Sequence, residues 1–414
     1  MNYQECLEYL NRLGNEVLTM KFGLETIRKV LEGLDRPQDS FRSVLIAGTN
    51  GKGSVARFLA SVAAAAGVPT GLYTSPHLVR LTERVKIDGA EVTAEEFAEG
   101  FTAVVDAVGR LELDAHPTFF ETVTAAAFVA FARRKVDLAV LEIGMGGRLD
   151  STNVVEPILS ILTPIDWDHQ QYLGNSLTEI AGEKAGILRP GVKALSCAQS
   201  DEVSATLRER AQSLGTPLEF VDSTSVARSA GPDGCYRFAY EGIDYDLRAC
   251  GRFQVDNAVL AIRAARELEC RGFRFTPGQL ASGIGEARFE GVLQRFGEEP
   301  VVIIDGGHNP AAALELGRYL RKHTAAPRHL VFSMLRDKEI DHVLGILQPL
   351  CDRIFLTRID SPRAIGLDHL IGLCPAGIPV PEPADAYASA FAGAKTVIVA
   401  GSFFLAGEIL ASLR

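Results

Sequence analysis

A glycine-rich segment with a single lysine, Gly48–Ser54 (GTNGKGS), contains the residue types that bind phosphate groups. It follows a short apolar run and precedes an Ala-rich stretch of helical character. Glycines let backbone N–H groups surround a phosphate chain, the lysine supplies a positive charge, and the N-terminus of the helix adds its dipole. The common G-x-x-x-x-G-K-[ST] pattern is not met, because the first glycine is too close to the lysine and Gly53 follows Lys52. The segment predicts a triphosphate-binding loop, with a glycine-rich turn that binds nothing as the alternative.

Three further side chains have the chemistry of a site for an anionic ligand. Glu142 ends an apolar run and precedes Gly-Met-Gly-Gly, which places its carboxylate to hold Mg²⁺ against phosphates; capping of a helix is the alternative. His169 is flanked by acidic residues such as Asp168, and on the residues alone it is more typical of a structural histidine. Arg148 can anchor a carboxylate with two hydrogen bonds, or brace its own turn through Asp150.

Apolar, β-branched runs alternate with helical stretches along the chain, and this alternation predicts βαβ units with parallel sheets. The predicted strands, apolar enough to be buried on both faces, are Ser43–Ala47, Val136–Ile143, Ile158–Leu162, Val301–Asp305, His329–Phe332, Arg353–Leu356 and Thr396–Ala400. The predicted helices are Val55–Ala66, Thr122–Arg134, Pro310–His323 and Phe403–Leu413.

The alternation is interrupted between Ser223 and Cys250. Residues 231–234 (GPDG) predict a turn, and the following alternation of polar and apolar residues predicts a hairpin around Glu241-Gly242. A second series of strands and helices begins after Gly291. We therefore predict an α/β protein in which residues 1–290 form a P-loop-type domain with a mostly parallel sheet. Residues 291–414 form a smaller, Rossmann-like α/β domain.

Composition excludes several classes of protein. The 414 residues include 42 Lys+Arg and 52 Asp+Glu, and the resulting net charge of −10 argues against a dedicated nucleic-acid binder. No apolar run approaches the roughly 20 residues of a membrane span, and the polar N-terminus lacks the features of a signal peptide. The seven cysteines contain no C-x-x-C pair and are typical of free thiols in a reducing compartment. We expect a cytoplasmic protein with small-molecule partners and no nucleic-acid or membrane partner.

Several motifs, in order along nearly the whole chain, together resemble the Mur-type ATP-dependent amino-acid ligases. Among these they are most similar to the folylpolyglutamate synthase/dihydrofolate synthase branch. The motifs are GTNGKGS, residues 74–78 (TSPHL) with Glu83-Arg84, residues 118–121 (TFFE), residues 142–153 (EIGMGGRLDSTN), Asp168-His169, residues 183–187 (EKAGI) and residues 305–310 (DGGHNP).

The resemblance implies an ATP-dependent amide ligase that adds L-glutamate to a folate, to dihydropteroate, or to both, through an acyl phosphate with release of ADP and phosphate. It implies ATP and two Mg²⁺ ions as cofactors, with Ser75 and Glu142 on the first ion and His169 on the second, although imidazole is an unusual ligand for Mg²⁺. It also implies that Lys184 is carbamylated, whereas on the sequence alone Lys184 is an ordinary surface lysine. The implied catalytic set is Lys52, Glu142, His169 and Lys184.

The resemblance also assigns binding residues. Those implied for the nucleotide are Asn50, Gly51, Lys52, Gly53, Ser54, Asn257, Arg288, Asp305 and His308. Those implied for the folate-type substrate are Phe22, Gly23, Leu24, Thr118, Arg148, Leu149, Asp150 and Ser151. Nucleotide residues on both sides of the predicted boundary imply domain closure during turnover, with an interdomain salt bridge as the alternative for Arg288. Phe119 and Phe120 offer aromatic surface near the substrate or belong to the core.

Two other hypotheses are weighed against this one. A Mur-type ligase acting on cell-wall nucleotides predicts an additional N-terminal domain, and roughly 40 residues before the glycine loop are too few for one. A non-catalytic nucleotide switch would keep Lys52 but has no need of Ser75, Glu142 and His169 together. Two departures, Gly307 before His308 and Leu81-Thr82 before Glu83, bear on substrate preference. We expect a monomer, and the sequence does not distinguish the two acceptors.

Overall fold

The computed structural model describes residues 1–14 and 23–413, which form two compact units. The first unit comprises Met1–Ser75, Thr82–Val226 and Asp256–Glu286, apart from the undescribed residues 15–22. The second comprises Pro76–Leu81, Ala227–Val255 and the rest of the described chain from Ala287. No described helix is long and apolar enough to cross a membrane.

The centre of the first unit is an eight-stranded, mostly parallel sheet. Its strands are β1 (Arg42–Ala47), β2 (Thr70–Tyr73), β3 (Val85–Ile87), β4 (Ala90–Glu91), β5 (Leu138–Glu142), β6 (Pro157–Leu162), β7 (Ala194–Cys197) and β8 (Leu218–Val221). The order is β4-β3-β2-β5-β1-β6-β7-β8, with β1 parallel to both β5 and β6. The predicted strands at β1, β5 and β6 are confirmed, because runs buried on both faces read as continuous apolar segments.

Helices cover this sheet. They are α1 (Tyr3–Arg12), α2 (Glu25–Glu32), α3 (Lys52–Ala65), α4 (Ala94–Arg110), α5 (Phe119–Arg133), α6 (Gln170–Leu173), α7 (Leu177–Lys184), α8 (Asp201–Leu214), α9 (Phe253–Glu269, in this unit from Asp256 onward) and α10 (Pro277–Glu286). Helices α3 and α10 pack closely, since a Cβ atom at Gly283 would lie 2.4 Å from Cα of Val62.

The second unit contains the remaining strands and helices. The strands are β9 (Arg228–Ala230), β10 (Cys235–Tyr240), β11 (Ile243–Cys250), β12 (Gln294–Phe296), β13 (Val301–Asp305), β14 (Arg328–Phe332), β15 (Arg353–Leu356), β16 (Ile378–Pro379) and β17 (Thr396–Ala400). The helices are α11 (Pro310–His323), α12 (Ile340–Leu347), α13 (Leu367–Leu373), α14 (Pro383–Ala390) and α15 (Phe403–Ser412).

A six-stranded sheet of order β12-β13-β17-β14-β15-β16 forms the centre of the second unit. All of its pairings are parallel except β12 with β13. Successive residues of each strand point to opposite faces, so Ile303 and Leu330 enter one apolar core while Val302 and Val331 enter the other. Apolar cores on both faces of a parallel sheet confirm the predicted Rossmann-like α/β arrangement.

The predicted hairpin is also confirmed. Glu241 and Gly242 connect β10 to β11 with φ angles of +50° and +74°, and two consecutive positive φ angles are those of the two-residue hairpin turn. Strand β9 pairs antiparallel with β10 and completes a three-stranded sheet, which groups with the second unit.

Candidate functional site

The glycine loop connects the central strand β1 to helix α3 and is anchored by backbone hydrogen bonds. The N–H groups of Thr49 and Asn50 donate to the carbonyl oxygen of Pro164, at 2.7 and 3.3 Å. The Thr49 hydroxyl donates to the carbonyl oxygen of Asp166 (2.9 Å) and accepts from its N–H (3.0 Å). The segment that follows β6 therefore holds the loop in shape.

Two glycines of the loop occupy positions that a side chain would disturb. Gly48 has φ +150°, and a Cβ atom there would lie 1.9 Å from Oγ1 of Thr163. Gly51 is the N-cap of α3 with φ +83°, and a Cβ atom there would lie 2.7 Å from Oδ1 of Asn257 on α9. The structure thus brings Asn257, predicted from its motif, beside the loop.

Two lysines converge on the carbonyl oxygen of Gly48. Nζ of Lys52 donates to it at 3.1 Å and to the Thr49 carbonyl oxygen at 3.0 Å. Nζ of Lys184, at the end of α7, donates to the same Gly48 oxygen at 2.8 Å. Lys184 is only 3% exposed, so its interpretation from sequence alone as a surface lysine is wrong. Its position next to the loop depends on a contact 136 residues away along the chain.

Glu142 lies at the C-terminal end of β5, and its carboxylate is buried against the start of α3. A Cβ atom at Gly53 would lie 3.1 and 3.2 Å from the two carboxylate oxygens, and the N–H of Ser75 donates to Oε2 at 3.1 Å. Burial raises the pKa of Glu142, while the charges of Lys52 and Arg57 act in the opposite direction. A buried carboxylate whose charge is incompletely compensated favours a cation nearby. The backbone N–H of Gly53, in the first turn of α3, also lowers this pKa by hydrogen bonding, so the helix-capping alternative describes part of these contacts.

Arg57 is a residue of this site that the sequence reasoning missed. Its Nη1 would lie 2.8 Å from a Cβ atom at Gly53, and its charge acts on Glu142. A signal was present, because Arg57 is a single cation in the apolar, Ala-rich continuation of α3 after Lys52. Thr163, which packs on Gly48, was missed as well.

His169 is the N-cap residue of α6, in the segment that follows strand β6. Its backbone is in the left-handed conformation, with φ +49°. Its N–H donates to Oδ1 of Asp168 at 2.9 Å, and its Nε2 lies 3.5 Å from Oδ2 of the same residue. The carboxylate of Asp168 therefore contacts both the backbone and the ring, which fixes where the imidazole points.

Arg148 pairs with Glu183 and not with Asp150. Its Nε and Nη2 donate to Oε1 of Glu183 at 3.1 and 2.9 Å, and its side chain is 54% exposed. The Asp150 carboxylate is buried and accepts instead from the N–H groups of Met145 (2.9 Å) and Thr152 (3.0 Å). Bracing through Asp150 is thus corrected to an ion pair with the residue before Lys184.

The remaining predicted substrate residues of the first unit have these positions. Thr118 is the N-cap of α5, where its hydroxyl accepts from the N–H of Glu121 at 3.2 Å. Leu149 and Ser151 flank Asp150 in the turn after β5, and Ser151 is buried. Gly23 and Leu24 precede α2, Leu24 being buried. Phe22 lies outside the described residues.

Aromatic rings lie near the same strand ends. Phe120 is 6.0 Å from the ring of Tyr73, and the guanidinium of the buried Arg84 lies 5.3 Å from the ring centre of Phe119. Both phenylalanines are partly exposed. They therefore present aromatic surface and are not fully buried core residues.

The predicted nucleotide residues Arg288, Asp305 and His308 belong to the second unit. Asp305 ends β13, and its buried carboxylate accepts from the N–H groups of Leu293 (2.9 Å) and Gly307 (2.8 Å). Burial raises its pKa. Nδ1 of His308 lies 3.2 Å from the Gly306 carbonyl oxygen, and Arg288 is exposed.

Within the described part of the chain, no group of three or more His, Cys, Asp or Glu side chains is arranged to hold a metal ion. A cation at Glu142 would take its other ligands from hydroxyl groups, water and phosphate oxygens. This donor set suits Mg²⁺, which keeps several waters and uses one or two carboxylates beside phosphates.

Comparisons with known proteins agree with this geometry. Residues 46–265 match the family described as "Mur ligase middle domain", and residues 287–403 match "Mur ligase, glutamate ligase domain". The chain is 34% identical over 376 residues to a dihydrofolate synthase/folylpolyglutamate synthase of Bacillus subtilis, an alignment that covers 87% of this chain and 86% of the relative.

Solved structures are similar over nearly the full length. The Escherichia coli protein FolC in complex with DHPP and ADP superimposes with a TM-score of 0.88 at 31% identity, covering 100% of this chain and 98% of that one. A bifunctional folylpolyglutamate synthase/dihydrofolate synthase with Mn, AMPPNP and L-glutamate bound gives a TM-score of 0.86 at 28% identity, with 100% and 98% coverage.

Proposed function

Since the chain belongs to the dihydrofolate synthase/folylpolyglutamate synthase family of Mur ligases, we propose that it joins L-glutamate to a folate, to dihydropteroate, or to both. It is an ATP-dependent ligase. In the proposed reaction, an acceptor carboxylate oxygen attacks the γ-phosphorus of ATP, which forms an acyl phosphate and releases ADP. The amine of glutamate then attacks the acyl carbon and phosphate leaves, after the amine has lost a proton.

One observation carries this proposal for the first unit. The loop, the buried Glu142 carboxylate and the two lysines that share the Gly48 oxygen occupy one edge of the central sheet, where β1 and β5 end. A nucleotide site at the carboxyl ends of parallel strands is what this topology favours. A structural turn has no need of a buried carboxylate beside a glycine loop, because burying that charge costs free energy.

The loop residues would bind the triphosphate. We propose that Asn50, Gly51, Gly53 and Ser54 line the triphosphate at the start of α3, where the helix dipole favours an anion. Lys52 now donates to two loop carbonyl oxygens. A phosphate oxygen is a stronger acceptor for an ammonium group, so we propose that Lys52 turns from the carbonyls to the phosphate chain.

A divalent cation fits beside Glu142, with the Ser75 hydroxyl as a second ligand. When bound, Mg²⁺ supplies positive charge that stabilises the phosphates during transfer. The resemblance to its family extends this to a second ion at His169. Asp168 would then orient the imidazole through its contacts with the His169 backbone and ring.

We also propose that Lys184 is carbamylated. The ammonium group would first lose one proton. The neutral amine would then attack CO₂, forming an N–C bond while a C=O π bond breaks, and a second proton would leave, so that a cation becomes an anion. Support comes from its burial at 3% exposure, since burial disfavours the ammonium form and thereby favours the neutral amine, which is the form that reacts with CO₂. Native protein supplied with ¹³C-bicarbonate should show one carbamate carbon resonance that is lost in Lys184→Met. A resonance retained in that variant would place the modification elsewhere.

The residues of the first unit that we propose for the folate-type substrate are of two kinds: some shape the pocket and others bind the substrate. The Thr118 hydroxyl and the Asp150 carboxylate already accept backbone hydrogen bonds that hold α5 and the turn after β5. We propose that they shape the pocket, whereas the exposed Arg148 anchors a substrate carboxylate by leaving Glu183. Gly23, Leu24, Leu149 and Ser151 would contribute backbone and apolar surface, and Phe22 is assigned on the resemblance.

The other nucleotide residues differ in their support. Asn257 is proposed on its position beside Gly51. Arg288, Asp305 and His308 are proposed on the resemblance of their motifs, as is the domain boundary near residue 291. We further propose that the protein is a cytoplasmic monomer. Light scattering of the purified protein tests the oligomeric state.

The decisive experiment measures ADP release with ATP, Mg²⁺ and L-glutamate, in the presence of either dihydropteroate or tetrahydrofolate. We expect release that depends on both glutamate and an acceptor, and the ratio of the two rates identifies the preferred acceptor. Lys52→Met should abolish it. Lys29→Met is the matched control, since Lys29 makes an exposed ion pair with Asp114. Nucleotide binding without glutamate-dependent release from either acceptor would instead favour the switch hypothesis.

A further inference from the structure

Two cysteine side chains face each other at the open end of the β10–β11 hairpin. Cys235 begins β10, Cys250 ends β11, and the two are partners in the antiparallel register. Their Sγ atoms lie 3.5 Å apart. Cα atoms paired across antiparallel strands are about 4.5–5.5 Å apart, which is within the range that a disulfide spans. The register of the hairpin shifts between Cys235 and Arg237. A disulfide requires the two sulfur atoms to approach by about 1.5 Å.

The surroundings of Cys250 favour its thiolate. The pKa of Cys250 is lowered, chiefly by its hydrogen bond with the side chain of Cys235, and this outweighs its burial. The same hydrogen bond raises the pKa of Cys235. The charge of Asp233 acts to raise the pKa of Cys250, whereas the charge of Arg295 acts to lower it.

A second observation supports an anion at this position. Nη1 of Arg295 is buried without a hydrogen-bond partner among the described residues, and the charge of Arg295 acts on both Cys250 and the carboxylate of Asp233. Tyr319 is fixed by donating to the Asp233 carbonyl oxygen at 2.8 Å. Reactive cysteines occur in electropositive, partly accessible surroundings of this kind. Cys250 is buried but Cys235 is partly exposed, so a small reagent approaches the pair from the side of Cys235.

We propose that Cys235 and Cys250 form a redox-active dithiol, a modification site that closes to an intrachain disulfide under a peroxide. The Cys250 thiolate attacks one oxygen of hydrogen peroxide, the O–O bond breaks, and hydroxide leaves to become water, which gives a sulfenic acid. The sulfur of Cys235 then attacks Sγ of Cys250, the S–O bond breaks, and the departing hydroxide takes the thiol proton as water. Two thiols and one peroxide thus give one disulfide and two waters.

The other cysteines do not share these features. Burial raises the pKa of Cys197 and of Cys351 to about 12, so neither forms a thiolate near neutral pH. Cys270 is exposed and is the matched control for simple accessibility.

The test treats the fully reduced full-length protein with hydrogen peroxide, blocks free thiols with iodoacetamide, and maps cross-linked peptides by mass spectrometry without reduction. We expect the loss of two of the seven thiols, one peptide pair joining Cys235 to Cys250, and full recovery with dithiothreitol. Cys270→Ser should give the same cross-link. Cys235→Ser should retain a sulfenic acid at Cys250 that dimedone traps, with circular dichroism confirming the fold.

Two results would overturn the proposal. One is wild-type protein that loses thiols without the Cys235–Cys250 cross-link, and the other is oxidation confined to Cys270. Both readouts are chemical and need no turnover, so they are independent of whether the ligase proposal holds.

Discussion

Replacing Gly48 with alanine tests how tightly the glycine loop is constrained. A Cβ atom at this position would lie 1.9 Å from Oγ1 of Thr163 and 3.0 Å from its Cβ and carbonyl oxygen. The backbone also has φ +150°, which side chains rarely adopt. Strain of this kind costs about 1–3 kcal/mol, and overpacking adds about 1–3 kcal/mol. We therefore expect the free energy of unfolding of the first unit to fall by about 2–6 kcal/mol.

The chain supplies a matched control and a reporter. Gly67 has φ +73°, and no described heavy atom lies within 4 Å of the position that a Cβ atom would occupy there. Gly67→Ala therefore measures backbone strain alone, about 1–2 kcal/mol. Trp167 is the single tryptophan, and it lies next to Asp166, whose backbone bonds Thr49. Urea unfolding followed by Trp167 fluorescence therefore reports on the first unit.

A double variant separates the two contributions. In a Thr163→Ala background the nearest atom to the new Cβ is gone, so Gly48→Ala should cost less there than in the wild type, by about 1–2 kcal/mol. Its cost should still exceed that of Gly67→Ala, since the Cβ and carbonyl oxygen of residue 163 remain 3.0 Å away. A Gly48→Ala protein within about 0.5 kcal/mol of Gly67→Ala would refute the steric argument.

Three further variants follow from the structure. Glu142→Gln should lower glutamate-dependent ADP release by about 10²–10³ without lowering Tm, and activity within tenfold of the wild type would exclude the proposed role. Gly407→Ala should destabilise the second unit by about 1–3 kcal/mol, because its Cβ would lie 2.0 Å from a backbone oxygen. Gly345→Ala is its control: this glycine is helical and has no described atom close by, so alanine should stabilise by about 0.5–1 kcal/mol. Urea titrations of the two variants compare these changes in the free energy of unfolding. Burial acts to raise the pKa of Asp337, but its ion pair with Arg363 outweighs burial, and the pKa is lowered. The ion pair therefore stabilises the folded protein fully above pH 3.8, the ordinary pKa that Asp337 has in the unfolded chain. This stabilisation is lost as the pH falls through the lower pKa that Asp337 has in the folded protein. Arg363→Met should cost about 3–5 kcal/mol at pH 7, with a smaller difference from the wild type below about pH 4; a difference that does not change with pH would contradict this.

Elements were predictable where the signal is local. Val301–Asp305 and Thr396–Ala400 were predicted with their observed ends, because a strand buried on both faces is a continuous apolar run bounded by polar residues. The hairpin turn at Glu241-Gly242 was predictable from another local signal, the alternation of polar and apolar residues on both sides of it. Short strands at the sheet margins, such as Leu218–Val221, were not predicted, since partial burial leaves only a weak pattern.

The candidate site was predictable only in part. Lys52 lies within a recognisable loop, and Glu142 ends a recognisable strand, so each could be found from its neighbours in sequence. The burial of Lys184 could not, because its partner Gly48 is 136 residues away. The partner of Arg148, Glu183, is also distant in sequence, at 35 residues. Asp150, which is closer in sequence, was the alternative that the sequence suggested, and it is wrong.

The net charge of −10 and an anionic ligand are compatible because the field at the loop is set by a few close groups. Lys52 and Lys184 place their ammonium groups within about 3 Å of the same Gly48 oxygen, and the N-terminus of α3 adds a partial positive charge. Surface acids beyond about 8–10 Å are screened by salt, whereas these groups are partly or fully buried and are screened much less. If Lys184 is carbamylated, one of these cations becomes an anion, and phosphate binding at the loop then depends more strongly on a divalent cation. The affinity for ADP should therefore depend more steeply on Mg²⁺ in the wild type than in Lys184→Met, which Trp167 fluorescence titrations compare directly.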